Sequence, residues 1–554
     1  MKKQWWQEEV VYQIYPKSFQ DSNNDGIGDI NGIRSRLDYL SMLGVTMLWI
    51  CPIFQSPMDD NGYDISDYFA IAPEFGTMDD LKHLIEEAKQ KGIKIILDLV
   101  INHTSDEHAW FQEALKDPNS KYHDYYIFHK GNELPNNWRS VFGTSVWEKV
   151  EGRDEYYFHS FGKKQPDLNW ENPEVRNALY EMVQQWLDFG IAGFRVDAIT
   201  FIKKDLSFES KEADGADGLV KCTKTCRNQP GIDVFLKELK EKTFDRYHCV
   251  SVAEAPGVQY DELEDFIGEN GYFSMIFDFK HADLDVASGS EWFKRVDWQI
   301  KDLKQRLMTS QMAIQKVGWA ANFIENHDQP RATSKYLKEY AHHKDAITMM
   351  AAMYFFLRGT PFIYQGQELG MVNAVRTNIE EFNDISSIDQ YHRAIQEGFT
   401  KEEAIHFINL RSRDHSRTPF PWTKDTYGGF SQHTPWLNMT QGYETINAQS
   451  QIHEQSSVFT FYQKIIALRQ YSRYRDCLIY GDIQPIETQD DVIAYQRSTS
   501  KETILCYFNF TNQKQDVEKY KAFDELVLNN LSSMEIQEDR ITLLPFQALM
   551  FTVK

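Results

Sequence analysis

The sequence predicts an α/β protein: a (β/α)8 TIM barrel with a small domain inserted after strand 3 and a C-terminal antiparallel β domain. Three observations predict it. Eight short β-branched or apolar runs recur through the first 370 residues, amphipathic helical patterns separate most of them, and after about residue 477 the pattern changes to short alternating strands.

The eight runs begin at Val10, Val45, Ile93, Ala192, His248, Phe273, Trp319 and Thr360. Near-continuous apolar strands alternating with helices argue a parallel sheet, and eight repeats argue closure into a barrel. The helices carry their own punctuation. MDDLKHLIEEAKQKG follows the second run and PEVRNALYEMVQQWLDFG precedes the fourth; both start with acidic or Pro residues and end in Gly. Two stretches interrupt the alternation, one rich in Asn, Asp, Gly, Tyr and His after the third run and one of extra helix and loop after the eighth. The expected boundaries are 1–103 for the first part of the barrel, 104–173 for the insertion, 174–476 for the rest of the barrel with an excursion at about 372–443, and 477–554 for the β domain.

Composition narrows the partners. A formal charge of -23 without any run of Lys and Arg argues against nucleic acid or an anionic membrane, so a small neutral ligand is expected. The 13 Trp, 28 Tyr and 36 Phe offer flat faces for sugar rings, although a large core uses aromatics equally well. The N-terminus has no apolar h-region, and no stretch approaches the about 18 apolar residues of a membrane span, so a cytoplasmic protein is expected. A monomer or weak homodimer is the expected assembly, though no sequence feature specifies it. Six scattered cysteines do not form a disulfide framework, and Cys222 and Cys226 lack the further ligands of a zinc site. No organic cofactor is expected.

Barrel chemistry is built at the carboxyl ends of strands, and polar residues crowd those ends here. The third run closes on Asn102 and His103, the fourth on Arg195 and Asp197, the fifth on Glu254, and the seventh on Asn326, His327 and Asp328. One such residue is ordinary; four strand ends together point to a site. Three carboxylates and two histidines with no Cys or Ser nucleophile suit glycosidic cleavage, whose transition state is cationic. Arg195, two residues before Asp197, shares its strand face and is placed to keep it ionised, while the apolar neighbours of Glu254 favour a retained proton.

At these residues the chain resembles the α-amylase family of glycoside hydrolases, in its oligo-1,6-glucosidase and α-glucosidase branch. DLVINHTSDEHAWF, QPDLNW, GFRVDAI, VAEAPGV and FIENHDQPR look like that family's ordered conserved regions, over essentially the whole chain. The resemblance implies a retaining, exo-acting α-glucosidase with Asp197 as nucleophile, Glu254 as acid/base, Asp328 as the third carboxylate, and His103, His327 and Arg195 around the terminal glucose. It further implies that Asp60 pairs with Arg417 to close the pocket, that Tyr63 is a stacking platform, and that Phe142, Phe161 and Gln165 line the mouth. Ala198, after the nucleophile, stands where relatives preferring α-1,6 bonds tend to have Val; the smaller side chain leads us to expect α-1,4 over α-1,6 cleavage of maltose and short malto-oligosaccharides.

In DSNNDGIGD, hard oxygen donors alternate as in the first half of an EF-hand loop, though an Asx-rich turn has the same composition. The resemblance implies a structural calcium ion held by Asp21, Asn23, Asp25, Asp29 and the carbonyl of Ile27. Sucrose isomerases share the scaffold but carry an Arg-rich loop that RATSKYLKEY does not match, and trehalose-6-phosphate hydrolases need a basic phosphate site that the sequence does not reveal. Transporter-associated homologues lose the carboxylates and carry a membrane span.

Overall fold

The computed structural model describes residues 2–287 and 290–553. All eight anticipated runs contain barrel strands: β1 (Val11–Ile14), β2 (Met47–Ile50), β3 (Lys94–Leu99), β4 (Gly193–Val196), β5 (Val250–Glu254), β6 (Met275–Phe277), β7 (Ala321–Asn322) and β8 (Thr360–Tyr364). Every neighbouring pair is parallel, in the order β6-β5-β4-β3-β2-β1-β8-β7, and a parallel bridge between Ile276 and Ala320 closes the ring. The helices cap as their sequences require. Thr77 and Asp80 form a capping box at the start of Met78–Gln90, and Gly190, at φ +110°, ends Pro173–Phe189 in the left-handed conformation. Gly193 opens β4 because a Cβ there would lie 1.9 Å from the carbonyl oxygen of Val250 on the next strand.

The two-residue period of the strands explains where the site forms. Trp49, Ile96, Val252, Phe277 and Phe362 belong to the cluster that fills the barrel, separate from the larger one that includes the helices. The ring centroids of Trp49 and Phe277 are 5.7 Å apart and those of Phe277 and Phe362 4.9 Å, contacts worth about 0.5–1.5 kcal/mol each beyond their burial. Two residues beyond Ile96 and Val252 on the same faces come Asp98 and Glu254, and Arg195 is in register with both Asp98 and Val252. The polar residues are therefore the top layer of the same inward-facing columns.

Within 104–173 lies a three-stranded antiparallel sheet, Phe128–Lys130, Glu155–Phe158 and Trp147–Lys149. The segment after β4 joins this excursion, since Val220–Lys221 pairs with Trp138–Arg139. After β8 the helices Ile385–Gln396 and Lys401–Arg411 form the second excursion. The helix Arg475–Tyr480 precedes the C-terminal β region, whose first strand begins at Asp482; five- and three-stranded antiparallel sheets enclose a core of their own. No helix among the described residues is long and apolar enough to cross a membrane. All six cysteines are free thiols, and Cys222 and Cys226 are buried in an aromatic cluster.

Candidate active site

Arg195 organises the floor of the site. It donates through Nη1 to Asp98 and to Asp197, and through Nη2 to Glu254, each at 2.6 Å. Asp197 follows β4 directly and Glu254 is the last residue of β5, so two adjacent strands deliver two carboxylates to one guanidinium. Ala198, at φ +41°, turns the chain so that its backbone N–H donates to Glu254 at 3.0 Å. A non-glycine residue in that conformation is strained, and such strain collects at functional sites.

Asp98 was not among the expected site residues. It is fully buried and accepts hydrogen bonds from Arg195, Trp49 Nε1 (3.1 Å) and Tyr63 Oη (3.0 Å), which fixes the guanidinium in place. Its sequence signal is a lone acid in the apolar run KIILDLV, since a buried charge must be paired.

Asp328 is held from two sides. His327 Nε2 lies 3.1 Å from its Oδ2, while Arg417 donates to Oδ1 at 2.9 Å and Arg413 at 3.4 Å. Gln13 Nε2 donates to His327 Nδ1 at 2.7 Å, which leaves the ring proton on Nε2, facing Tyr63 Oη (2.6 Å) and Asp328. The Tyr63 ring lies parallel to His327 at 5.4 Å.

The expected closing pair is corrected. Asp60 meets Arg413, not Arg417, at 3.1 Å, and Arg413 is itself anchored by Asp384 at 2.7 Å, the N-cap residue of Ile385–Gln396. Arg413 and Arg417 are four apart in RDHSRTP; the 3-10 turn Arg413–His415 sends the first to Asp60 and leaves the second fully buried behind Asp328. The Asp60 loop is set by Asp64, which accepts from Ser56 Oγ and from the backbone N–H groups of Asp59 and Asp60, with Met58 and Asn61 both at positive φ.

These groups surround a cavity of about 340 Å³. Asp197, Glu254, Asp328, Asp60, Tyr63, His103, Phe142 and Phe161 line it, as do Ala198 and Arg413. Four further expected contact residues are almost wholly buried beside it: Arg195, His327 and Arg417, and Gln165, which donates to Asp60 at 3.2 Å and lies 3.3 Å from His103. They fix the groups that face the cavity.

Burial raises Asp197 and Glu254 to about 7, against the attraction of Arg195. Asp98 rises to about 6 for the same reason. Burial acts on Asp328 as well, yet His327, Arg413 and Arg417 hold it well below the usual carboxylate range. The cavity thus presents one firmly ionised carboxylate opposite a pair that retains a proton near neutrality. Burial also lowers His103 and His327, which keeps both imidazoles neutral.

The Asp21–Asp29 segment lies apart from this cavity. Asp21 accepts from the N–H groups of Asn23, Asn24 and Gly26 at 2.7–3.0 Å, Asn23 from Asp25 at 3.0 Å, and Asp25 from Ile27 at 2.8 Å. Asp29 caps Ile30–Ser35 through Gly32 N–H and accepts from Ser22. Among the described residues no three acidic, His or Cys side chains are gathered as metal ligands. The Asx hydrogen bonds account for the loop's shape, and the calcium expectation keeps only its donor chemistry.

Residues 13–481 match the family described as "Alpha amylase, catalytic domain". The chain is 40% identical to the oligo-1,6-glucosidase of Bacillus cereus over the whole of both chains, and 44% identical to the probable oligo-1,6-glucosidase 3 of Bacillus subtilis (strain 168) over 92% of each. Among solved structures, trehalose-6-phosphate hydrolase from Bacillus licheniformis superposes with TM-score 0.90 at 37% identity, covering 99% of this chain and 100% of that one. Isomaltulose synthase from Klebsiella sp. LX3 gives 0.94 at 35%, over 100% of both.

Proposed function

The chain belongs to the α-amylase family of glycoside hydrolases, and from that premise we propose that it is a retaining, exo-acting α-glucosidase that releases α-glucose from the non-reducing end of short α-glucosides. The observation that carries the reading is the single guanidinium of Arg195 gripping Asp197 and Glu254 side by side, with ionised Asp328 facing the same cavity. Carboxylates that share adjacent nitrogens of one arginine favour the about 5 Å spacing of retaining enzymes over the about 6.5–9.5 Å of inverting ones.

In the proposed cycle an Asp197 oxygen attacks the anomeric carbon while the bond to the leaving oxygen breaks and Glu254 gives that oxygen its proton. Glu254 then takes a proton from water, whose oxygen displaces Asp197 and releases α-glucose. Asp328 stabilises the cationic transition state and binds the sugar hydroxyls beside it. The Asp60–Arg413 pair on the cavity wall is the proposed block beyond the terminal glucose, which makes the action exo.

Two readings of linkage each rest on one observation. The relatives just described whose names specify a linkage are 1,6-glucosidases, which favours α-1,6; the small side chain of Ala198 on the cavity wall favours α-1,4, and the relatives' names lend that expectation no support. Steady-state kinetics on maltose, isomaltose, sucrose, trehalose and trehalose-6-phosphate decide. The α-1,6 reading predicts kcat/KM for isomaltose about tenfold or more above maltose, the scale on which pocket shape discriminates; the reverse ratio supports α-1,4. Trehalose-6-phosphate as the best substrate, or conversion of sucrose mainly to an isomer, defeats both.

We add a structural calcium ion to the proposal on the oxygen donors of Asp21, Asn23, Asp25, Asp29 and the Ile27 carbonyl. No reaction step passes through it. Chelation is expected to lower Tm by about 2–5 °C, with recovery on adding Ca2+; an unchanged Tm in protein free of calcium by elemental analysis removes the ion from the account.

A further inference from the structure

Four segments of the chain supply the rim of the active-site cavity, and one buried carboxylate ties them together. Glu291, in the loop between β6 and β7, is only 2% exposed. Its Oε1 pairs with Lys221 at 2.8 Å and, more loosely, with Arg139 at 3.8 Å; its Oε2 accepts from Gln390 Nε2 at 2.6 Å and pairs with Arg393 at 3.1 Å. Arg139 belongs to the insertion, Lys221 to the segment after β4, and Gln390 and Arg393 to the helix Ile385–Gln396 after β8. Each segment also carries a residue of the cavity wall close to this junction. Trp292 is the neighbour of Glu291 in the chain, Phe142 follows Arg139, Thr223 follows Lys221, and Ser386 stands one helical turn from Gln390.

Further contacts stiffen the junction. Gln390 donates to Glu291 and accepts from the Trp292 N–H at 2.8 Å, so both ends of its amide grip the loop. The same helix presses on the insertion at Gly143, which is at φ +91°; a Cβ there would lie 2.0 Å from a carboxyl oxygen of Asp389. Burial pushes Glu291 up, but Lys221, Gln390 and Arg393 outweigh it and hold the carboxyl below its ordinary range. The three carboxylates of the site are held by a separate set of partners, Arg195, His327, Arg413 and Arg417.

We propose that Glu291 is a positioning residue that fixes Trp292, Phe142, Thr223 and Ser386 relative to one another, so that the fit of a substrate at the mouth depends on it while the chemistry at Asp197 and Glu254 does not. Desolvation offsets most of the attraction inside a buried ion network, so its effect is read in geometry. The inference rests on the α-glucosidase reading.

The experiment measures kcat and KM on a disaccharide of the preferred linkage, and the inhibition constant of D-glucose, for the wild type, Glu291→Gln and Gln390→Met. Glucose reports on the inner end of the cavity alone. Glu291→Gln is expected to raise KM about tenfold while kcat and the glucose constant change by less than about threefold. Gln390→Met removes both grips on the loop without deleting a charge, and is expected to raise KM about threefold with the same split. If Glu291→Gln does not fold, the KM of Gln390→Met decides alone. An unchanged KM in the folded variants overturns the inference. A fall in kcat with a parallel weakening of glucose binding also overturns it, because Glu291 then supports the whole barrel and not the mouth. Both results leave the α-glucosidase reading intact; a wild type that hydrolyses no α-glucoside overturns that reading and this inference with it.

Discussion

Asp197→Ala is expected to lower kcat/KM on every α-glucoside by at least about 10⁴-fold while leaving the protein folded. The loss is large because the substitution removes the group that forms the covalent intermediate; rate then depends on residual binding, Glu254 and Asp328 without a nucleophile. Stability should move the other way. Asp197 is raised from its ordinary 3.8 to about 7 by burial, beside Asp98 and Asp328. A carboxyl that ionises less readily in the folded chain costs nothing below about pH 3.8, where both states are protonated. Its penalty grows as pH rises through that window and is complete above about 7. Arg195 keeps Asp98 and Glu254 as partners, so no orphan cation is left. Tm of the variant at pH 8 is therefore expected to equal or exceed that of the wild type, as for other substitutions that relieve crowded charge in active sites. A variant that retains more than a few per cent of activity places the nucleophile elsewhere, and one that unfolds makes Asp197 a structural residue.

Glu254→Gln should separate substrates by leaving group. Hydrolysis of disaccharides, whose departing alkoxide needs a proton, is expected to fall about 10²–10⁴-fold. A 4-nitrophenyl α-glucoside leaves as a stable phenolate and should lose far less in its first step. The pH profile carries the same information. Asp197 and Glu254 both titrate near 7 because burial disfavours two charges in one dry site, so the pair holds about one proton at neutrality. Wild-type kcat/KM should form a bell centred near pH 7: the acid limb is the second proton arriving on the pair, the basic limb the loss of the one it needs. Glu254→Gln should flatten the basic limb on the nitrophenyl substrate. Equal losses on both substrates with an unchanged bell would mean that Glu254 is not the proton donor.

The sequence made the scaffold legible because its signals are periodic. All eight apolar runs became strands, and one polar residue closing each of four of them, His103, Asp197, Glu254 and Asp328, lines one cavity, since alternation along each strand puts Asp98, Arg195 and Glu254 above the same packed columns as Ile96 and Val252. Pairings across loops were less legible. That Asp60 would face an arginine of RDHSRTP was readable from the motif; which arginine depends on the rotation of a short 3-10 turn that no spacing rule specifies. Likewise, lining and support look alike in sequence. Arg195, His327, Arg417 and Gln165 read from their motifs as ligand contacts, and what no motif spelled out is that they also orient Asp197, Glu254, Asp328 and Asp60.

The central claim, double displacement by Asp197 and Glu254, is tested most directly by proton NMR of the first-formed glucose, recorded before mutarotation. The account predicts the α anomer, from two inversions at one carbon. The β anomer as first product would mean a single inversion by water, and would contradict both the covalent intermediate and the role given to Asp197.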